Sequence, residues 1–113
     1  MAAATYNLVI DQGSDFTLDL VVKESGSVKN LTGYSARAQL RTKKDASGDA
    51  AASFTCTVTD AANGGLRMEL SNATSSAISA GRYYYDLEIH TGSDAVVKRL
   101  IQGEVTVNQE VTR

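Results

Sequence analysis

The sequence predicts an all-β fold, an antiparallel immunoglobulin-like sandwich of two sheets built from about seven strands. Three observations carry that expectation. Apolar residues recur at every second position in short runs, the period that sends alternate side chains to one face of a strand. Gly, Ser, Thr, Asn and Asp cluster at intervals of about ten residues, the turn spacing of a sandwich or small barrel. No segment carries the period of a long helix. The chain has one Cys and no Trp, so the Cys…Trp…Cys signature of antibody domains is absent, and a small closed barrel is the competing architecture.

Taken in order, Tyr6, Leu8 and Ile10 alternate on one face of a short first strand. Gln12-Gly13-Ser14 turns the chain. Phe16, Leu18, Leu20 and Val22 then point inward, with Thr17 and Asp19 outward. Glu24 to Ser27 is a polar hairpin loop, and Leu31-Thr32-Gly33-Tyr34 is a tight turn. A third strand follows, with Ala36, Ala38 and Leu40 facing in and Arg37, Gln39 and Arg41 facing out. The stretch from Thr42 to Ala52 has no periodicity and reads as the mobile loop. Phe54, Cys56 and Val58 share a face of the fourth strand, and Leu66, Met68 and Leu70 share a face of the fifth. The stretch from Asp60 to Gly65 turns the chain between them. Ser71 is the cap of one or two helical turns ending near Ile78. Gly81 opens the sixth strand, in which Tyr83, Tyr85, Leu87 and Ile89 point inward. The last strand, 95–107, is long, and Gly103 marks a bulge or bend in it.

Bulk properties narrow the function classes. A chain of 113 residues, 42% hydrophobic and 21% charged, suits a single domain over residues 1–113 with one core. A net charge of −2 argues against a general nucleic-acid grip, which needs a surplus of Lys and Arg on one surface. No apolar run approaches the ~20 residues that cross a bilayer, so no membrane partner is expected, and the start Met1-Ala2-Ala3-Ala4-Thr5 carries no secretion pattern. Cys56 has no second cysteine to bridge to, which fits a protein made in a reducing cytoplasm.

Residues able to carry chemistry are few, and the expectation is a protein that is not an enzyme and holds no cofactor or metal. His90 shares its strand face with Asp86 and Glu88, but positions i, i+2 and i+4 span about 13 Å at ~3.3 Å per residue, too far to converge on one ion. Cys56 runs in phase with Phe54 and Val58 and reads as a small core residue, since a nucleophile would need an adjacent base. Asp19 and Asp86 are conceivable as a carboxylate pair, yet outward acids on strands are ordinary solvated positions. The sequons at Asn30-Leu31-Thr32 and Asn72-Ala73-Thr74 and the basic run Arg41-Thr42-Lys43-Lys44 read as accidents of composition and as a loop. Tyr84, outward between the inward Tyr83 and Tyr85, is the candidate partner contact, because an exposed Tyr on a strand is a good protein-contact residue. A cross-strand pairing on its own sheet face is the plainer role for it.

Several pieces together resemble small virion proteins of tailed phages with an immunoglobulin-like fold, similar to the N-terminal domain of the baseplate upper protein family. They are Gln12-Gly13-Ser14-Asp15 before the Phe16 strand, Leu31-Thr32-Gly33-Tyr34 before a strand ending at Arg41, Gly65-Leu66 leading to Leu70, and Ala73-Thr74 with Ala77-Ile78. Gly81-Arg82-Tyr83-Tyr84-Tyr85-Asp86-Leu87 is the strongest piece, and Leu100, Gly103, Val105 and Val107 complete the order. Lys29-Asn30 and Ala80 stand where members of that family often carry proline. The resemblance implies a structural protein in the tail, baseplate or neck, in several copies, with other virion proteins as partners. Residues 1–5 and 108–113 would then serve as extended arms that complete a neighbour's sheet edge. Two alternatives stand beside it. One is a capsid decoration protein. The other is a receptor- or glycan-binding module using loops at one end of the sandwich, chiefly 42–52 and 60–65.

Overall fold

A computed structural model describes residues 4–24, 26–42, 50–92 and 96–111 of the chain. The strands are β1 (Ala4–Thr5), β2 (Leu8–Asp11), β3 (Phe16–Val21), β4 (Lys23–Glu24), β5 (Ser27–Val28), β6 (Tyr34–Arg41), β7 (Ala52–Asp60), β8 (Gly65–Leu70), β9 (Gly81–Thr91) and β10 (Val97–Asn108). One short helix, α1 (Asn72–Ser76), and a 3-10 turn at Ala61–Asn63 are the helical pieces among the described residues. The protein is all-β.

The strands follow one path, β1-β10-β9-β6-β7-β8-β3, with β2 also on β10 and with β4-β5 as a separate ribbon. The expectation of two sheets meets a specific obstacle at β7. Its residues 52–54 pair with β6, and residues 55–60 pair with β8. The two would-be layers are therefore joined through one strand into a continuous curled surface. Nor is the pairing antiparallel throughout: β1 and β2 run parallel to β10. Parallel neighbours need a long connection between them, and strands from the two ends of the chain have one.

The concave side is the core. Leu40, Leu66, Met68, Leu87, Ile89 and Val105 are fully buried, from four different strands. Burying each such aliphatic side chain is worth roughly 1.5–3 kcal/mol over leaving it in water. The period-two reading holds best on β9, where Tyr83, Tyr85, Leu87 and Ile89 are all buried. Phe16, Leu18 and Leu20 face the core as expected but are only half-buried. Tyr6 departs from its predicted inward position and is exposed. It lies in the gap between β1 and β2, where the alternation of Leu8 and Ile10 does not extend.

Local chemistry sets the turns. Tyr34 N donates to Leu31 O at 2.9 Å with Gly33 at φ 86°, which is the left-handed residue a tight turn of this kind needs. Gly64 also has positive φ, and a Cβ there would meet Val22 O at 2.5 Å. Ser71 caps α1 by accepting from Thr74 N. The mobile-loop expectation for 42–52 falls mainly on 43–49, outside the described residues.

Two expectations about β10 and the chain ends are corrected. The extra residue in β10 lies between Arg99 and Ile101, where the register on β9 shifts, and not at Gly103. Gly103 has another reason to lack a side chain: a Cβ would stand 2.5 Å from Tyr6 O. The described parts of the ends are not free arms either. Ala4 and Thr5 pair with Ile101 and Gln102, Gln12 N donates to Asn108 O, and Glu110 N donates to Gln12 Oε1. These ends lie along the chain's own sheet. Residues 1–3 and 112–113 lie outside the described residues.

Candidate functional site

The convex face of β6, β9 and β10 gathers most of the outward residues singled out above. Register places them in rows. Glu88 lies between Arg37 and Arg99, Asp86 between Gln39 and Gln102, and Tyr84 between Arg41 and Glu104. The rows follow from strict alternation on β9 and β6, while on β10 the extra residue between Arg99 and Ile101 shifts the outward positions by one.

Ion pairs knit the rows together. Arg37 Nε donates to Glu88 Oε1 directly across the strands. Arg99 does not bond the residue opposite it. Its Nε reaches diagonally to Asp86 Oδ2 at 3.1 Å, beside the register shift between Arg99 and Ile101. Arg82 and Glu104 approach to 3.7 Å, and Arg41 Nη2 donates to Gln39 Oε1 at 2.9 Å along its own strand. Around Tyr84 these side chains leave a shallow depression of about 300 Å³, lined by Gln39, Arg41, Tyr84, Asp86, Arg99 and Gln102 among others. Four arginines and three carboxylates share the face (Arg37, Arg41, Arg82 and Arg99 against Asp86, Glu88 and Glu104). That balance suits a mosaic contact with a polar protein surface better than a phosphate grip.

The other candidates are not brought together. His90 Nδ1 lies 3.2 Å from Thr91 O, while Asp86 and Glu88 turn to guanidinium groups. Among the described residues no three of His, Cys, Asp and Glu are placed to hold one ion. Cys56 is half-buried with Sγ 3.9 Å from Phe54 O, and burial pushes its thiol up to about 11. A thiol so raised is protonated and unreactive near neutrality. Asp19 is bound to Arg67 on the β3-β8 pair, so Asp19 and Asp86 belong to separate pairings. Asn30 Oδ1 accepts from Thr32 N at 2.9 Å, and Asn72 is engaged by Asp15 Oδ1. Of the two loops named for a glycan-binding reading, 42–52 falls mainly on residues 43–49, outside the described residues.

Sequence reasoning missed the residues that fasten the chain's first segment. The Tyr85 hydroxyl donates to Tyr6 O, and burial pushes its phenol up to about 12, with a smaller contribution from Tyr6. Asn7 Oδ1 accepts from Glu104 N at 3.0 Å. Gln12 holds both Ile78 O and Glu110 N. At the far end Glu24 is held below its ordinary value by a hydrogen bond from Lys98 and by the charge of Lys29.

No family model matches the chain, and no curated protein matches it. Among solved structures it is similar to InlP of Listeria monocytogenes, at 16% identity and TM-score 0.49 over 94% of this chain and 28% of that one. It is similar to a family 123 glycoside hydrolase from Clostridium perfringens, at 11% identity and TM-score 0.45 over 97% of this chain and 24% of that one. It is also similar to the extracellular domain of the voltage-gated sodium channel beta4 subunit, at 7% identity and TM-score 0.40 over 98% and 97% of the two chains. The chain spans about a quarter of the length of the first two.

Proposed function

We propose that this chain is a non-enzymatic structural protein of a tailed-phage virion, working in several copies through protein–protein contacts in the tail, baseplate or neck. Its fold on this reading is an immunoglobulin-like sandwich. The layer β10-β9-β6 and the pair β8-β3 enclose the core between them, with β7 crossing from one to the other, an arrangement compatible with the two-sheet division of such domains. The phage assignment rests on the resemblance of the Gly81 to Leu87 segment and its companions.

The observation that carries the contact role is the convex face of β6, β9 and β10 around Tyr84. Its aromatic centre is ringed by arginines and amides, residue types favoured at the energetic centre of protein interfaces. Two experiments test the reading. Mass spectrometry of purified particles from a phage encoding the chain should find it in fixed stoichiometry with tail proteins, and its absence would overturn the virion assignment. Recovery with capsid shells alone would favour the decoration reading. Tyr84→Ala, a change on the outward face, should abolish incorporation while leaving the free protein folded by circular dichroism.

A further inference from the structure

We propose that β3 is a homotypic docking edge, pairing antiparallel with β3 of a second copy of this chain. The interaction does not depend on the virion assignment and uses a different surface from the Tyr84 face.

Among the described residues the edge is open: β3 pairs with β8 and with no other strand. Its pairing with β8 runs through all six residues without a register shift, so every second backbone amide and carbonyl is presented outward in regular order. Proteins that keep such an edge single place Lys, Pro, a bulge or an inward charge on it. β3 has none of these. Its one charge, Asp19, faces outward and is held by Arg67 Nε at 2.7 Å. Its core-facing row Phe16, Leu18 and Leu20 is left half-buried, as a row would be at the margin of a layer that continues.

The side chains select both the partner and the register. In antiparallel pairing, opposite residues share a face only if their numbers sum to an even total. A total of 38 sets Asp19 against Asp19 of the other copy, and a total of 34 sets Asp15 against Asp19. Like charges directly opposite are destabilising. A total of 36 avoids both clashes. It sets Leu18 against Leu18, Phe16 against Leu20, and Thr17 against Asp19, where the hydroxyl can donate to the carboxylate. Only the totals 36 and 38 pair five of the six strand residues, and of these two only 36 keeps like charges apart, so the strand is complementary to itself there and a second copy is the occupant it fits.

Charge substitutions at the two exposed positions test this. In Thr17→Lys/Asp19→Lys, lysines oppose lysines across the two-fold axis. In Thr17→Glu, the introduced carboxylate opposes Asp19 of the other copy. Each variant alone should raise the dimer dissociation constant roughly tenfold or more. Mixed together they should pair, because every opposed position then joins opposite charges. Light scattering with size exclusion on the full chain at about 100 μM should give twice 12.0 kDa for the natural sequence, 12.0 kDa for each variant and the doubled mass for the mixture. A monomeric natural chain, variants that dimerise undiminished, or a mixture that stays monomeric would each overturn the proposal. Hydrogen exchange on the natural chain supplies a check that needs no variant. The outward amides among residues 16–21, those not bonded to β8, should exchange more slowly in concentrated than in dilute solution, and equal rates would also overturn it. A dimer in solution from a chain absent from particles would sink the virion reading and leave this one standing.

Discussion

At one margin of the curled sheet β1 and β2 lie on β10 and are fastened from several directions, whereas at the other β3 lies on β8 and, among the described residues, on no other strand. The fastened margin is discontinuous. Its ladder breaks at Tyr6 and Asn7, where Tyr6 N donates to Gln102 O at 2.9 Å, Tyr85 reaches Tyr6 O from the core, and Asn7 receives Glu104 N. A neighbouring strand would find a broken row of backbone groups there. The β3 margin is a regular six-residue ladder with alternating apolar side chains. The difference teaches that interruption, more than charge, separates a closed edge from one able to recruit a partner in this fold.

The strongest way to break the comparison is to force the fastened margin open. Gly103→Ala places a Cβ 2.5 Å from Tyr6 O and 2.9 Å from Tyr6 C, and backbone cannot yield as a flexible side chain would. Overpacking of this kind costs about 1–3 kcal/mol. The urea midpoint should fall accordingly, and hydrogen exchange should show the amides of Ala4 and Tyr6 losing protection while the β8-bonded amides of β3 keep theirs. Equal loss at both margins would mean that the two edges are not independent.

A smaller effect follows from Tyr85→Phe, which keeps the buried ring and removes only the hydroxyl that holds Tyr6 O. Loss of one such hydrogen bond costs about 1 kcal/mol. It also changes the alkaline limb of stability. The Tyr85 phenol is raised from 10.0 to about 12 in the folded protein, so its contribution is complete below pH 10 and is lost as pH rises through about 12. Cys56, raised from 9.0 to about 11, acts in the same direction at a lower pH. Urea titrations between pH 9 and 12 should therefore show falling stability, with a shallower upper half in Tyr85→Phe and a shallower lower half in Cys56→Ala.

Much of the strand content was legible because period-two alternation reports burial directly. The inward residues of β6, β8 and β9, the Leu31 to Tyr34 turn and the Ser71 cap could all be read from side-chain type. What could not be read is what register decides. Nothing in the order of residues says that Arg99 will bond Asp86 and not Glu88 opposite it, or that β7 will divide its pairing between β6 and β8. The same limit hid the first-segment clamp, since Tyr85 and Tyr6 are 79 positions apart. The sequence suggested a bulge or bend at Gly103 that lies instead between Arg99 and Ile101, and the backbone of Tyr6 that excludes a side chain at Gly103 was not legible. The outward position of Tyr84 was legible, and the row that sets it between Arg41 and Glu104 was not.

Two further substitutions sharpen the contrast between margins at the limit of measurement. Asn7→Ala removes the acceptor of Glu104 N on the fastened edge and should cost about 0.5–1 kcal/mol, with exchange quickened at Glu104. Asp19→Asn on the open edge breaks the ion pair with Arg67 between two largely exposed side chains, where solvent and salt screen the attraction and little stability resides. Its urea midpoint in dilute solution should match that of the natural chain. Its consequence should appear only between copies. With Asp19 neutral, the totals of 34 and 38 no longer meet like charges, so the paired strands gain freedom to slip. Concentrated Asp19→Asn should then dimerise as tightly as the natural chain but protect the amides of residues 16–21 less evenly. A midpoint that fell markedly in dilute solution would show the open edge to be fastened by that ion pair after all.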